Sequence, residues 1–438
     1  MHVFATDVPV LLLRLDRNPF HHGTLGAVRS LGRAGAEVHA VVADGGGPVA
    51  RSRYLRAVHR GPAGEPTPEA VTECLLRVSE RIGRAAVLVA MDDLSAITVA
   101  RIAPLLTDRY LCPGQPADLP ALVADKAELA GLCARWDIGH PETVVPADEA
   151  EAAAAAWRLG LPVVAKWSRP WLLPAGSGLR STTLLTTAAA ARRLYARTAE
   201  AGSGLLLQRF LPGGRGTDWF FHGCFAEGGR PLLTGAGRKE LSWPVRTGLT
   251  AVGRWVPDPA VERAGLRLAE RLGYAGILDL DFRRDPEGRL RLLDFNPRPG
   301  AQFRLFTDGA GLDVVRALYL DLTGQRVPAQ AGGAGRLFVA ENYALLAAVS
   351  VPREAPRPGA AAVEAAWFAA DDPRPFLAMA GSFVLRGAEK GAGRVWGALR
   401  GGPAQGRAAA GARTPRQRGE QGPLGPDRDR PGRTTAAR

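Results

Sequence analysis

Cysteine is scarce in this chain: Cys74, Cys112, Cys133 and Cys224 are scattered through 438 residues and form no C-x-x-C pair. That excludes a disulfide-stapled scaffold and gives no zinc-ligand spacing, and it fits a reducing cytoplasm. Long apolar runs are also lacking. The opening stretch, MHVFATDVPVLLLRLDRN, has no basic leader, and its apolar part is too short for a secretory or membrane-spanning segment, so a cytoplasmic protein without a membrane partner is expected. No Ser/His/Asp or Cys/His set offers a nucleophile for covalent catalysis. Lysine is sparse beside arginine.

Arg, Ala, Gly and Pro are abundant. The formal net charge is +13, of which Gly401 to Arg438, with eight Arg and three acids, carries +5. The remaining arginines are dispersed rather than clustered among aromatics, which makes nucleic acid a weak expectation as a partner. From about Gly401 the chain has almost no large apolar residues, cannot bury a core, and is expected to be a disordered tail over 399–438. The rest, at 46% hydrophobic overall, is long enough for two or three packed domains.

The most informative stretch is Gly273 to Gly300, GYAGILDLDFRRDPEGRLRLLDFNPRPG. Leu278 to Phe282 alternates apolar and polar, Asp285-Pro286-Glu287-Gly288 is turn chemistry, and Leu290 to Asn296 is a second strand-like run, so a β-hairpin is expected. Period-two geometry puts Asp279 and Asp281 on one face, and Asp294 and Asn296 on one face. Pairing Arg284 with Arg289 would set Asp281 opposite Leu292 and diagonal to Asp294. Uncompensated, such a cluster is repulsive; hard, oxygen-seeking Mg²⁺ ions bridging it to a nucleotide phosphate would make it favourable, and the plain alternative is an exposed hairpin with charged outer residues. Asn296-Pro297-Arg298-Pro299-Gly300 then presents Arg298, whose guanidinium can hold phosphate or carboxylate bidentately.

Upstream, Pro9 to Leu13, a helix from the NPFHHGTLG loop to about Ala34, and Val38 to Val42 give a βαβ-like opening. His21 and His22 in that loop are candidate substrate contacts. Ala86 to Met91 reads as a buried strand ending in Asp92-Asp93, a pattern produced either by a ligand site at the edge of a parallel sheet or by helix capping. Lys126 opens a helix, and Lys166 ends the strand-like run Leu161 to Lys166, where an ammonium can meet a buried phosphate. Gly176-Ser177-Gly178 is a loop able to close over phosphates through its amides. Asp258-Pro259 caps a helix with Val261, Ala264, Leu268 and Leu272 on the face expected to pack behind the hairpin.

D-x-D-F followed by an acid-x-Asn-Pro-Arg resembles the metal-binding hairpin of the ATP-grasp superfamily, in particular its carboxylate-amine ligases. The resemblance covers roughly residues 8 to 380 and rests on the order of Lys126, Lys166, Gln208, Asp281 and Asp294-Phe295-Asn296-Pro297-Arg298. It implies an α/β and α+β chain: a Rossmann-like N-terminal domain (1–118), an ATP-grasp fold of two subdomains (119–327), an appended C-terminal segment (328–398) that includes AWFAADDPRP, and the tail. It further implies ATP and Mg²⁺, with Mn²⁺ as the alternative ion, as cofactors. Asp281, Asp294 and Asn296 would be the metal ligands, with Asp294 standing where the family usually has Glu. Lys126 and Lys166 would hold the nucleotide phosphates, backbone groups near Arg209 and Leu211 would read adenine, Gln208 would take a place often held by an acid, and Asp218 would lie near the ribose. Arg298 would contact the transferred phosphate. Lys239, in the Arg238-Lys239 pair before Ser242-Trp243-Pro244 and Thr247-Gly248, would contact phosphate and the acceptor. The implied activity joins a small-molecule carboxylate to an amine through an acyl phosphate, releasing ADP and phosphate. A non-catalytic ATP-binding protein of the same fold and a nucleic-acid-associated protein using the Arg-rich tail are the alternatives. Substrate identity and oligomeric state are not encoded in any readable motif.

Overall fold

A computed structural model describes residues 4–42, 45, 47–244, 248–333, 335–351 and 362–386. Thr247, the end of the expected appended segment and the expected tail lie outside the described residues.

The chain begins with β1 (Val10–Arg14), α1 (His22–Ala34), β2 (Val38–Val42), β3 (Leu55–Arg60), α2 (Pro68–Ile82), β4 (Ala86–Ala90), α3 (Asp93–Ile102) and β5 (Tyr110–Leu111). These strands form a parallel sheet in the order β3-β2-β1-β4-β5. β1 and β2 are buried along their whole length, as strands covered on both faces must be, and therefore read as continuous apolar runs. Local chemistry sets the helix ends. His21 caps α1 by accepting from the Thr24 amide, and Gly35 leaves it at φ 98°, a left-handed conformation open to glycine. Strand order reverses between β1 and β4, so their C-terminal ends open a crevice. Asp16 and Asp93 stand at that crevice.

Next come α4 (Leu119–Ala124), α5 (Lys126–Arg135), β6 (Thr143–Val144), α6 (Glu149–Leu159), β7 (Val163–Trp167), β8 (Thr182–Leu185), α7 (Ala188–Tyr195), α8 (Thr198–Ala201) and β9 (Leu205–Arg209). The four strands make a small antiparallel sheet, β6-β9-β7-β8. Val163, Ala165 and Trp167 on one face, with Leu205 and Leu207 opposite them, pack under Ala152, Ala155 and Ala156 of α6 and Ala191 of α7. Period two therefore turns Val164, Lys166, Leu206 and Gln208 to the other face.

The remainder is β10 (Asp218–Ala226), β11 (Arg230–Trp243), β12 (Leu249–Trp255), α9 (Pro259–Leu272), β13 (Gly276–Arg284), β14 (Leu290–Asn296), α10 (Val314–Leu322), β15 (Leu337–Val339), α11 (Glu341–Ser350) and β16 (Val363–Ala365). Its seven strands run β14-β13-β10-β11-β12-β15-β16. α9 covers one face as expected, with Val261, Leu268 and Ala269 against Phe221, Leu278 and Leu280 and with Ala264 and Leu272 half-buried beside them. On the opposite face Ile277 and Cys224 lie in the core with Val314, Val315 and Leu318 of α10. Two and four residues further along β13, the same face carries Asp279 and Asp281. The acids thus emerge where the apolar cover ends.

Candidate active site

The hairpin β13–β14 forms as expected, but its register is corrected. Asp285 and Arg289 close the turn, the Asp285 amide donating to the Arg289 carbonyl at 2.9 Å, so Arg284 pairs with Leu290. A bulge between Asp281 and Phe282 then skips Leu293, and Asp281 lies directly opposite Asp294, with Asp279 opposite Asn296. The bulge leaves the Leu293 carbonyl available, and Lys166 Nζ donates to it at 2.8 Å.

Four cations converge on these acids. Asp125 caps α5 through the amides of Ala127 and Glu128, which fixes Lys126 at the first helical position, and Lys126 Nζ pairs with Asp294 Oδ1. Lys166 arrives from the small sheet. Lys239 of β11 pairs with Asp281 Oδ1 at 2.8 Å, whereas its neighbour Arg238 is committed to Glu240 at 2.7 Å and to the Trp219 ring. Arg298, on the turn after β14, lies 3.2 Å from Asp93 and 3.7 Å from Asp279. Three of the chain's four lysines, Lys126, Lys166 and Lys239, therefore meet one hairpin, and that rarity was itself a signal in the sequence.

Burial pushes the Asp281 carboxyl up, Lys239 opposes it and Asp279 and Asp294 add to it, leaving it above its usual value. Burial also pushes Asp294 up, but Lys126 and Lys166 outweigh it and hold Asp294 below its usual value. Lys166 is lowered by burial, with Asp294 opposing and Lys126 adding. Asp281 Oδ1 and Asp294 Oδ1 are buried and have no hydrogen bond of regular geometry, only the facing ammonium groups. Among the described residues no three His, Cys, Asp or Glu side chains converge as a metal centre. Two carboxylates and an amide fit an ion such as Mg²⁺, which takes one or two protein carboxylates and completes its shell from phosphate oxygens and water.

The acids line a cleft of about 1010 Å³ together with Lys239, Arg298 and three residues that follow the first parallel sheet's strands, Asp16 after β1, His21 capping α1 and Asp93 at the start of α3. Pro170 to Ala175, the segment after β7, forms another wall, while Gly176-Ser177-Gly178, expected to close over phosphate, is not part of the lining. Of the residues expected at the nucleotide base and ribose, Gln208 is buried and donates to Thr143 Oγ1 at 3.0 Å. Arg209 pairs with Glu142. Asp218 is held bidentately by Arg283, which also donates to the Leu211 carbonyl at 2.8 Å. None of these four lines the cleft. Asp92 and Asp93 divide the two readings of their motif: Asp92 caps α3 and accepts from the Leu15 amide at 2.6 Å, and Asp93 faces Arg298. His222 was missed; it is fully buried, with Nε2 2.7 Å from Asp279 Oδ1.

A parallel sheet, a small antiparallel sheet presenting a lysine, and a larger sheet presenting paired acids make up a fold that this chain shares with solved structures. Its similar solved structures include the biotin carboxylase domain of Hydrogenobacter thermophilus 2-oxoglutarate carboxylase, in complex with MgADP, ADP and bicarbonate (TM-score 0.55, 16% identity, covering 74% of this chain and 72% of that one). They also include an N5-carboxyaminoimidazole ribonucleotide synthetase in complex with ADP (TM-score 0.57, 11% identity, 76% and 81%) and the synthetase from Thermus thermophilus (0.52, 18%, 74% and 80%). At these identities the likeness is one of fold. No family model and no curated protein matches the sequence.

Proposed function

We propose that this protein is an ATP-dependent ligase that joins a small-molecule carboxylate to an amine. The observation that carries this reading is the meeting of Lys126, Lys166 and Lys239 with the hairpin of the opposed pair Asp281 and Asp294; Lys239 and the two acids line the cleft, and Lys126 and Lys166 reach the hairpin without lining it. In such a ligase ATP and Mg²⁺, or Mn²⁺, supply a transferable phosphoryl group that activates the carboxylate as an acyl phosphate. Asp281, Asp294 and the Asn296 amide oxygen would hold the metal, and Lys126 and Lys166 the phosphates. Both lysine contacts to the hairpin must then be exchanged for phosphate contacts, so a cation already desolvated beside a carboxylate needs no further dehydration to receive a second anion. Arg298, between Asp93 of the N-terminal sheet and the acids, would orient the transferred group, and Lys239 would neutralise the acceptor carboxylate. The N-terminal domain, Rossmann-like in its strand order, would contribute the acceptor side of the cleft through the crevice between β1 and β4. Gln208 and Arg209 end β9, Leu211 follows it and Asp218 begins β10; a nucleotide read there would share Leu211 and Asp218 with Arg283. The structures similar in fold that were determined with ADP or MgADP support the nucleotide part of this reading.

Calorimetry of ATP binding with and without Mg²⁺, on the natural chain and on Asp294→Ala, tests it. The expected result is micromolar, Mg²⁺-dependent affinity (about −8 kcal/mol) in the natural chain, weakened at least about tenfold by the substitution. Absence of ATP binding in the natural chain would sink the proposal.

A further inference from the structure

By register alone Asp279 looks like a third metal ligand, since it shares the face of Asp281 and sits opposite Asn296. Its surroundings argue otherwise. Its side chain is 5% exposed, against 24% for Asp281 and 30% for Asp294. Both of its oxygens are faced by protein groups: Oδ1 lies 2.7 Å from His222 Nε2, a contact without regular hydrogen-bond geometry, and Oδ2 accepts from Asn296 Nδ2 at 3.3 Å and faces Arg298 Nη1 at 3.7 Å. His222 is fully buried against Phe220 and Phe306, with ring centroids 5.5 and 5.2 Å away, so it cannot follow a moving carboxylate. Gly300 closes over the pair; a Cβ there would come within 2.6 Å of His222 Nε2 and 2.7 Å of Asp279 Cγ.

We propose that Asp279, braced from behind by His222, is a positioning residue that orients Arg298 and the Asn296 amide, and is not a metal ligand. The inference rests on the reading given under Proposed function. Two consequences follow from the geometry. Arg298 is set by carboxylates from two elements, Asp279 of β13 and Asp93 at the start of α3, so its guanidinium is fixed before any anion arrives. An amide whose NH₂ is tied to Asp279 presents its oxygen elsewhere, which gives Asn296 the orientation a metal ligand needs.

The test uses the full chain and the near-isosteric Asp279→Asn. By calorimetry, Mg²⁺-dependent ADP affinity should stay within about twofold of the natural chain, because the substituted amide still offers an oxygen to Asn296 Nδ2, while the preference for ATP over ADP falls about tenfold, as it should in Arg298→Ala, because the charge facing the guanidinium is gone. The double variant should fall no further, because Asp279 acts through Arg298. Loss of Mg²⁺ dependence in Asp279→Asn, equal to the loss in Asp281→Asn, would make Asp279 a ligand and overturn the proposal. A second measurement needs no nucleotide: solvent exchange of the Arg298 Nε–H by NMR, the signal assigned by its disappearance in Arg298→Lys. Exchange at least about fivefold faster in Asp279→Asn is expected if the carboxylate holds the guanidinium. Unchanged exchange would overturn the positioning role even in a chain that binds ATP. Faster exchange in a chain that binds no ATP would uphold the positioning role and sink the ligase reading alone. Should Asp279→Asn fail to fold, His222→Gln carries the same two measurements with the same expected directions.

Discussion

His22 and His59 show how far burial can change a side chain. His22 packs among Phe338, Tyr343 and Trp367, at ring distances of 5.7, 6.0 and 6.2 Å, and burial pushes it down to about 4. His59 stacks on His39 at 5.2 Å, and burial followed by the neighbouring His39 and Arg81 takes it down to about 4 as well. Both rings are neutral in the folded protein, whereas the unfolded chain takes up the protons near pH 6.5. A depressed folded value means the stabilisation is intact above about pH 6.5 and is lost as pH falls toward 4, worth up to about 3 kcal/mol for the fully buried His22. Melting temperatures measured from pH 7.5 to 4.5 should therefore drop, and His22→Phe should flatten that drop. An equally steep drop in the variant would show that His22 does not titrate on unfolding. The same loop that looked like a substrate contact thus supplies a buried ring in His22 and a helix cap in His21, and both residues line the cleft.

At the scale of elements, the turn after β14 is closely packed at Gly300. Gly300→Ala would drive a methyl group into the His222–Asp279 pair, and overpacking of this kind costs about 1–3 kcal/mol. Chemical denaturation should show that loss, and the variant should also lose Mg²⁺-dependent ATP affinity, because Asn296 and Arg298 flank the displaced segment; a variant with natural stability would show that the turn yields freely. Much of this hairpin was legible. Alternation alone put Asp279 with Asp281 and Asp294 with Asn296, because period two is a property of the local chain. The bulge was not, since it depends on how the Asp285 turn closes and on Lys166 reaching Leu293 from another sheet. β10 escaped for a related reason: nearly all of it is buried, so it lacks the alternation by which a half-buried strand declares itself. Gln208 lies on β9, but its partner, Thr143, lies 65 residues away in sequence, and no local pattern encodes that choice.

Across the whole molecule, the segment with Asp371 and Asp372 ties back to α1, more than three hundred residues earlier. Arg29 and Asp372 are 0% and 1% exposed and 3.0 Å apart, and Asp372 also accepts from Ser52 Oγ at 2.7 Å and the Arg53 amide at 3.0 Å. Arg29 donates in addition to the carbonyls of Trp367 and Asp372. The neighbouring pair, Arg33 with Asp371, is 32% and 42% exposed. Identical chemistry in two settings gives opposite expectations. Removing one partner of a buried pair strands the other charge away from water, so Asp372→Asn should cost about 3–5 kcal/mol. Asp371→Asn should cost about 1 kcal/mol or less, since water screens its partner. The desolvation argument also predicts that Arg29→Met combined with Asp372→Asn is less damaging than Asp372→Asn alone, because no buried charge is then left unpaired. Urea denaturation of the four chains decides the matter: a double variant weaker than Asp372→Asn would mean that Arg29 holds the C-terminal segment through its carbonyl contacts rather than through its charge.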